Sequence, residues 1–501
     1  MMLNTHTQTR SMLSQAASAF IYRKHRLFIG GEWTDSFSAR EMEVIDPATG
    51  ALLTRCALSD TQDVDRAVAS ARKALEGLWS KMTGIERGKL ISRFANRLEE
   101  LAEELAEIEA IDCGRPITYA RHVDIPLTIN TYRYMAGWAG KVNGETVEVA
   151  APGEYHAFTL REPVGVVAQI VPWNFPLVLT AYKLAPSLAA GCTAIIKPSE
   201  QASLSLLRLA EVAEEVGFPP GVINVVTGYG DTVGAALAAH PDVDKVAFTG
   251  SARVGRLIAQ SATTNLKRVT LELGGKAPMI VLPDADLEKV IPSIASAAFF
   301  YQGQVCTSGS RLYVHKSIHD QVLDGVREEA TKLKMGHSLS ADTRLGPLIS
   351  LNQLERVSRY VDLGRLEGAD IVCGGKSVNS AGYYFEPTIL INTTDTMSVA
   401  REEIFGPVLC AMSLNSEDLD DIARRANDSP SGLCASIWTR NLSSAHKLAQ
   451  RIKAGNVWIN LHHYFDPALP FGGYKESGWG REQGAEALRT FTEVKSVCAA
   501  L

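Results

Sequence analysis

The sequence contains no Cys-x-x-Cys pair. Its eight cysteines, Cys56, Cys113, Cys192, Cys306, Cys373, Cys410, Cys434 and Cys498, are scattered over 501 residues. That scatter argues against a structural zinc site and against a disulfide framework, and it fits a reducing compartment. No apolar run approaches the roughly 18 residues that a membrane span requires. Charge of one sign is nowhere concentrated: 50 Lys and Arg stand against 56 Asp and Glu, a net charge of −6. Nucleic acid and membrane surfaces are therefore not expected partners. The first 31 residues lack Asp and Glu altogether while carrying several Arg, Lys, Ser and Thr, a faint likeness to a mitochondrial transit peptide. The plainer reading is a short helix beginning near Ala16–Phe20, with His25–Ile29 running into a first strand, in a cytoplasmic protein. Internal repeats and low-complexity tracts are also lacking.

What is present is an ordinary globular composition, 46% hydrophobic and 21% charged, in a chain long enough for roughly two to four domains. Leu27–Trp33 reads as a strand and turn, and Glu43–Gly50 as a second strand ending in a tight turn. Helical spacing dominates from Asp63 to about Leu105. From Val164 short apolar runs alternate with helices: strands at Val164–Val171, Thr193–Ile196 and Val222–Val226, helices at Leu177–Ala189 and Leu204–Val216. Such alternation predicts a parallel sheet covered on both faces, the architecture of a nucleotide-binding domain. A second α/β region follows Gly275, with a strand at Met279–Leu282, a helix through about Phe300 and a strand at Leu312–Val314. A cleft between the two is the expected place for chemistry.

Two strings propose that chemistry. Gly303-Gln304-Val305-Cys306 offers a thiol, and Thr270-Leu271-Glu272-Leu273-Gly274-Gly275-Lys276 offers a carboxyl in apolar surroundings, where its pKa rises and it can serve as a base. A lone cysteine is more often a small buried hydrophobe. Three further strings occur in chain order: Pro172-Trp173-Asn174-Phe175-Pro176, Phe248-Thr249-Gly250-Ser251 and Glu402-Glu403-Ile404-Phe405-Gly406-Pro407, followed by Phe471-Gly472-Gly473-Tyr474-Lys475. Together, from about Leu27 to Lys495, the chain resembles the aldehyde dehydrogenase superfamily. The resemblance implies two parallel α/β domains, one Rossmann-like and cofactor-binding, plus a small β oligomerisation flap. On that reading residues 20–141 and 165–275 form the NAD-binding domain, 276–475 the catalytic domain, and 142–164 with 488–501 the oligomerisation strands.

The resemblance also assigns roles. Cys306 is the nucleophile; Asn174, with the Cys306 backbone N–H, forms the oxyanion hole; Glu272 activates the water that hydrolyses a thioester. Lys183 and Glu482 match a buried proton-relay pair, for which an exposed salt bridge is the plain alternative. Val226–Gly234 has glycines spaced G-x-G-x-x-x-G, one residue longer than the dinucleotide fingerprint, and reads as a turn with modest cofactor contact at Gly230. NAD is instead expected at Gly250, Ser251, Gly255 and Leu273, beside Trp173, with Lys197, Ser199 and Glu200 at the adenosine ribose and Glu403 and Phe405 at the nicotinamide ribose. A carboxylate at Glu200 repels a 2′-phosphate and so favours NAD over NADP. No metal is required.

The substrate pocket implied by the match comprises Phe175, Tyr182, Val305, Leu461, His463, Phe465 and Phe471. It is aromatic and holds no Arg for a second carboxylate and no acid for a cationic substrate, so an apolar aryl or aliphatic aldehyde is expected. Tyr132–Trp138 and Asp466–Phe471 are similar to phenylacetaldehyde dehydrogenases. His462 and His463, consecutive, point to opposite faces if they lie on a strand; a loop role is expected. Thr146–Val149 alternates like a half-buried strand and Thr492–Val497 resembles a subunit-pairing strand, so a homodimer or homotetramer is expected. The competing readings are a CoA-acylating relative, which generally lacks the Glu272 base, and a non-catalytic NAD-binding protein, which has no need of Cys306, Glu272 and Asn174. Esterase activity is expected as a side reaction of the same site.

Overall fold

The computed structural model describes residues 9–378 and 380–501; the first eight residues of the acid-free stretch lie outside them. The apolar runs after Val164 form the middle of an eight-stranded sheet. Its order is Glu32–Thr34, Leu27–Ile29, Ile223–Val225, Thr193–Lys197, Val166–Ile170, Lys245–Gly250, Arg268–Leu273 and Gly478–Trp479. The five central strands are parallel. Within Val166–Ile170 the side chains alternate between two cores. Val166, Ala168 and Ile170 pack with Val64, Val68 and Ile195, whereas Val167 packs with Phe94, Tyr132 and Leu184. Burial on both faces is why these strands read as continuous apolar runs rather than alternating ones.

The helices are placed by local signals. Asp60 and Asp63 form a reciprocal cap at the start of Thr61–Glu76, and Thr83 with Glu86 does the same for Gly84–Glu100. Pro176 opens Pro176–Ala190 and Gly191, at φ +98°, closes it. The Gly-rich segment after Ile223–Val225 forms a wide π-helical turn, Gly230–Gly234.

A second sheet of seven strands runs Asp370–Cys373, Thr388–Ile391, Val408–Leu414, Arg311–His315, Pro278–Val281, Cys434–Trp438 and Asn456–Ile459, parallel except at its first pair. Met279 and Val281 face one core, Ile280 and Leu282 the other. A third, antiparallel sheet joins Thr146–Val147, Tyr155–Pro163 and Thr492–Ala500, the last two in register from Thr492 opposite Pro163 to Ala500 opposite Tyr155. The C-terminal strand is thus longer than the sequence predicts, and the strand at Thr146 shorter. The helix Gln15–Ile21 and the strand Leu27–Ile29 are the two elements expected between Ala16 and Ile29. Among the described residues no helix is long and apolar enough to cross a membrane.

In the first sheet the chain order reverses between Val166–Ile170 and Lys245–Gly250. The loops leaving those strands therefore diverge and leave a crevice at their carboxyl ends, the usual ligand position in such sheets. Ile195, fully buried on the inner face, measures how tightly that frame is packed. Ile195→Ala is expected to cost about 3 kcal/mol, seen as a lowered chemical-denaturation midpoint, and an unchanged midpoint would contradict the packing described.

Candidate active site

At the switch point a cleft of about 270 Å³ opens between the two large sheets. From the first sheet come Trp173 and Asn174, after Val166–Ile170; Gly250 and Ser251, at and just past the end of Lys245–Gly250; and Glu272 and Leu273, at the end of Arg268–Leu273. From the second come Cys306, Glu403, Phe405 and Phe471. Ten of the residues singled out in the sequence thus line one cavity.

Cys306 is delivered by an unusual backbone. The helix Leu287–Phe299 ends in a tight turn where Tyr301, Gln302 and Gly303 all have positive φ, +47°, +54° and +67°. For the two non-glycine residues that conformation costs of order 1–3 kcal/mol each. It is held by the Tyr301 hydroxyl donating to Cys113 O at 3.0 Å, and by the Gln302 amide donating to Pro347 O at 2.7 Å and Gly114 O at 3.2 Å. A Cβ at Gly303 would stand 2.1 Å from Gly406 O, and one at Gly275 would stand 3.2 Å from Cys306 O. The nucleophile loop is therefore wedged between the Glu272 strand end and the Glu403–Gly406 loop. Buried Asn174 donates one amide hydrogen to Gln304 O at 2.9 Å, which leaves its second amide hydrogen for an oxyanion.

Glu272 is buried, and neither carboxyl oxygen has a hydrogen-bond partner among the described residues. Burial, reinforced by the charge of Glu482 and opposed by Lys183 and Arg481, pushes its pKa well above the usual carboxylate range. Space beside it exists because residue 472 is glycine: a Cβ there would lie 2.8 Å from Glu272 Oε1. Lys183 and Glu482 are a buried ion pair at 2.5 Å, with the Lys183 ammonium also donating to Thr249 Oγ1 at 2.5 Å. The exposed alternative is thereby excluded. Cys306 is half-buried, and burial together with Glu403, Glu272 and Glu482 pushes its thiol up to about 12. The protonated thiol is therefore the resting form, and a proton acceptor is needed to use it. Burial also raises Glu403 to about 7, against the pull of the Gly275 N–H, Lys276 and Arg356.

The remaining cofactor candidates lie along the first sheet. Lys197, at the end of Thr193–Lys197, pairs with Glu200 at 3.2 Å, and Ser199 is buried beside them. Asp231, next to Gly230, acts on Lys197 electrostatically, which puts the Gly230 turn at the same end. Ser251 caps Ala252–Ala262 by accepting from Val254 N at 3.3 Å, and Gly255 lets that helix close on Leu273, whose Cδ atoms would lie within 2.9 Å of a Cβ. Glycine at 274 keeps the cleft open: a Cβ there would stand 2.1 Å from the Glu403 carboxylate.

Of the predicted substrate positions only Phe471 lines the cleft itself. Tyr182 and Phe465 stand against it, with ring centroids 6.4 and 5.9 Å from that of Phe471. Phe175 packs edge-on to Tyr301, Val305 is buried with Tyr301 and Ile349, and Leu461 packs on Trp458. His463 stacks on Phe465 at 6.1 Å. His462 and His463 lie on a bend after Asn456–Ile459 rather than on the strand, and their rings converge instead of pointing apart. Among the described residues no His, Cys, Asp and Glu group has the arrangement of a metal site.

Some contributors carry no signal in the sequence. Gln353 and Arg356, in Leu351–Leu366, donate to the carbonyls of Glu403, Ile404 and Phe405 and so hold Phe405 at φ +60°. Leu179 and Leu433 complete the lining. Arg115 is not among the predicted pocket positions but stands beside them: its guanidinium lies 4.1 Å from the ring centroids of both Phe175 and Tyr301. It is paired with buried Asp124, which neutralises it. Glu402-Glu403 gives no hint of Gln353 or Arg356, and Arg115 sits in an unremarkable Gly-Arg-Pro.

A cysteine, an unpaired base and an amide donor on one cleft between two parallel sheets define a covalent-catalysis site. Residues 33–497 match the Aldehyde dehydrogenase family. The chain is 46% identical to Aldehyde dehydrogenase 1 of Tanacetum cinerariifolium, covering 94% of each. It is 43% identical to the mitochondrial benzaldehyde dehydrogenase of Antirrhinum majus, covering 95% of this chain and 89% of that one. It superimposes on the structure of the Bacillus cereus aldehyde dehydrogenase in complex with NAD+ with a TM-score of 0.96, at 43% identity, over 98% of this chain and 99% of that one. The chain belongs to the aldehyde dehydrogenase family.

A carboxyl whose pKa is higher folded than unfolded binds more protons when folded. Its burial is therefore tolerated at low pH and becomes destabilising as pH rises from the ordinary carboxyl range toward the folded value. Glu272→Gln is expected to raise Tm at pH 8 by a few degrees, with the gain shrinking toward pH 5; a gain that grows on acidification would contradict the assignment.

Proposed function

We propose that this protein oxidises an apolar aldehyde, aryl or longer aliphatic, to its carboxylic acid with NAD as the oxidant. It is an NAD-dependent aldehyde dehydrogenase, and the observation that carries the mechanism is an unpartnered, buried Glu272 on the same cleft as Cys306. NAD, when bound, supplies the hydride acceptor. The chain's groups suit it: Glu403 and Phe405 for the nicotinamide ribose, Trp173 beside the ring, Gly250, Ser251, Gly255 and Leu273 around the pyrophosphate, and Lys197, Ser199, Glu200 and Gly230 toward the adenosine end.

The Cys306 sulfur, its proton taken by Glu272, forms a bond to the aldehyde carbon. The second amide hydrogen of Asn174 and the Cys306 N–H stabilise the oxyanion, each worth about 3 kcal/mol in comparable sites. Loss of hydride leaves a thioester on sulfur. With that first proton passed on, ionised Glu272 takes a proton from water as that water attacks the thioester carbon; the C–S bond then breaks, the acid leaves and the Cys306 sulfur regains a proton from Glu272. Lys183 and Glu482, beside Thr249, are a route by which the proton leaves the buried base.

The aromatic surroundings of Phe471, with Phe175, Tyr182, Val305, Leu461, His463 and Phe465 beyond the cleft, support an apolar substrate, as does the name of the benzaldehyde dehydrogenase relative; phenylacetaldehyde is the representative substrate. Residues 20–141 and 165–275 are assigned to the NAD domain, 276–475 to the catalytic domain, and 142–164 with 488–501 to subunit pairing. Exposed Val147, Leu160 and Val494 on the three-stranded sheet support a homodimer or homotetramer, and a cytoplasmic location is the proposed setting. A CoA-acylating reaction is disfavoured because Glu272 serves hydrolysis.

Cys306→Ala is expected to abolish NADH formation from phenylacetaldehyde while NAD still binds, measured by fluorescence titration; appreciable turnover by that variant overturns the assignment. Glu200→Gln is expected to raise the NADP-to-NAD ratio of kcat/KM several-fold, and an unchanged ratio would remove Glu200 from the ribose site.

A further inference from the structure

Thr307, the residue after the nucleophile, has a backbone carbonyl approached by two imidazoles. His462 Nε2 lies 2.8 Å and His463 Nε2 3.3 Å from Thr307 O, and the Cys434 thiol adds a weak contact at 3.6 Å. A carbonyl oxygen only accepts. Both rings must therefore carry their proton on Nε2, since a lone pair turned to that oxygen would be repelled. Each Nδ1 is then an acceptor. For His462 the acceptor is used: Ser436 Oγ is 3.0 Å from Nδ1, and the same Oγ accepts from Trp438 Nε1 at 3.3 Å, so the serine hydrogen is free for His462. For His463 no group among the described residues donates to Nδ1.

That nitrogen lies in aromatic company. The His463 ring stacks on Phe465, stands 5.7 Å from Phe300 and 6.4 Å from Trp458, and Phe465 in turn packs edge-on to cleft-lining Phe471. The His463 ring thus stands behind cleft-lining Phe471, one aromatic contact removed through Phe465, where an aldehyde held at Cys306 and extending past both rings would reach it. The lone pair stays available: burial, the neighbouring His462 and, more weakly, Arg115 push the His463 pKa well below its ordinary value, against the Thr307 carbonyl. A left-handed backbone at φ +56° fixes the residue on the bend.

We propose that His463 Nδ1 accepts a hydrogen bond from a hydroxyl on the distal ring of the substrate, making hydroxyaryl aldehydes the preferred class for this site. The inference rests on the reading of the cleft as an aldehyde-oxidising site. A site that hydrogen-bonds a substrate hydroxyl discriminates against the analogue lacking it, because its own polar group is left unpaired.

The test is NADH formation by the parent enzyme with phenylacetaldehyde and with its 3- and 4-hydroxy and 3- and 4-methoxy derivatives. A methoxy group keeps the oxygen and removes the donor. At the better of the two positions the hydroxy compound is expected to exceed its methoxy counterpart by roughly tenfold in kcat/KM. In His463→Phe that ratio is expected to fall about tenfold, and in His463→Asn, which keeps an acceptor and tolerates positive φ, to be partly restored. The ratio cancels any disturbance of the nucleophile loop that affects both substrates, and the parent series decides alone if neither variant folds. Turnover of phenylacetaldehyde without hydroxy preference at either position overturns the role of His463 and leaves the aldehyde-oxidising reading intact. Failure to oxidise all five overturns the aryl-aldehyde reading of the cleft, and this inference with it.

Discussion

A carboxyl held out of water without a hydrogen-bond partner is expensive, and the arrangement around Glu272 is what makes it possible. Its strand, Arg268–Leu273, is covered by Gly478–Trp479, the short antiparallel strand by which the chain returns to the first sheet. Ser477 in that return donates to Gly274 O and accepts from Gly432 N, tying the two large sheets together directly behind the cleft. Glycine at 472 leaves room for the carboxyl, and the Lys183–Glu482 pair supplies one nearby cation together with one nearby anion. Burial and the Glu482 charge raise the proton affinity of the carboxylate while Lys183 and Arg481 oppose them, which suits a base that must exchange protons with sulfur and with water.

The same requirement explains the loops. Cys306 has to reach a base that belongs to the other sheet, and the approach is made by backbone rather than by long side chains. Gly303 presses on Gly406, Gly275 on Cys306, and Asn174 reaches Gln304 O. Each contact joins segments far apart in sequence. The left-handed turn at Tyr301 and Gln302 is strain stored at the nucleophile and held by surrounding hydrogen bonds and by the Arg115 guanidinium against the Tyr301 ring.

Much of this architecture is legible in the amino-acid sequence. The continuous apolar strands sit where composition and spacing put them, because those signals are local. The cleft-lining residues of the motif strings are legible through the family resemblance. Long-range consequences are not. A His-His dipeptide carries no mark of whether it lies on a strand or on a bend, and only the fold turns both rings to Thr307 O. Arg115 approaches Phe175 because Asp124 compensates its charge inside the protein, a pairing invisible in the dipeptides themselves. Gln353 and Arg356 act through backbone carbonyls of another segment, so neither residue type announces the role. The family match groups seven residues as one pocket lining, yet packing leaves only Phe471 on the cleft wall, with the others behind or beyond it.

The division of labour between sulfur and carboxyl is the central claim, and single-turnover kinetics tests it most directly. When Glu272→Gln is mixed rapidly with NAD and phenylacetaldehyde, with the Cys306 proton left to solvent, the account predicts NADH formation of at most one equivalent per active site, then near-arrest with an acyl group on Cys306 detectable by mass spectrometry. Sustained turnover at a rate close to that of the parent, with no acyl adduct, would contradict it.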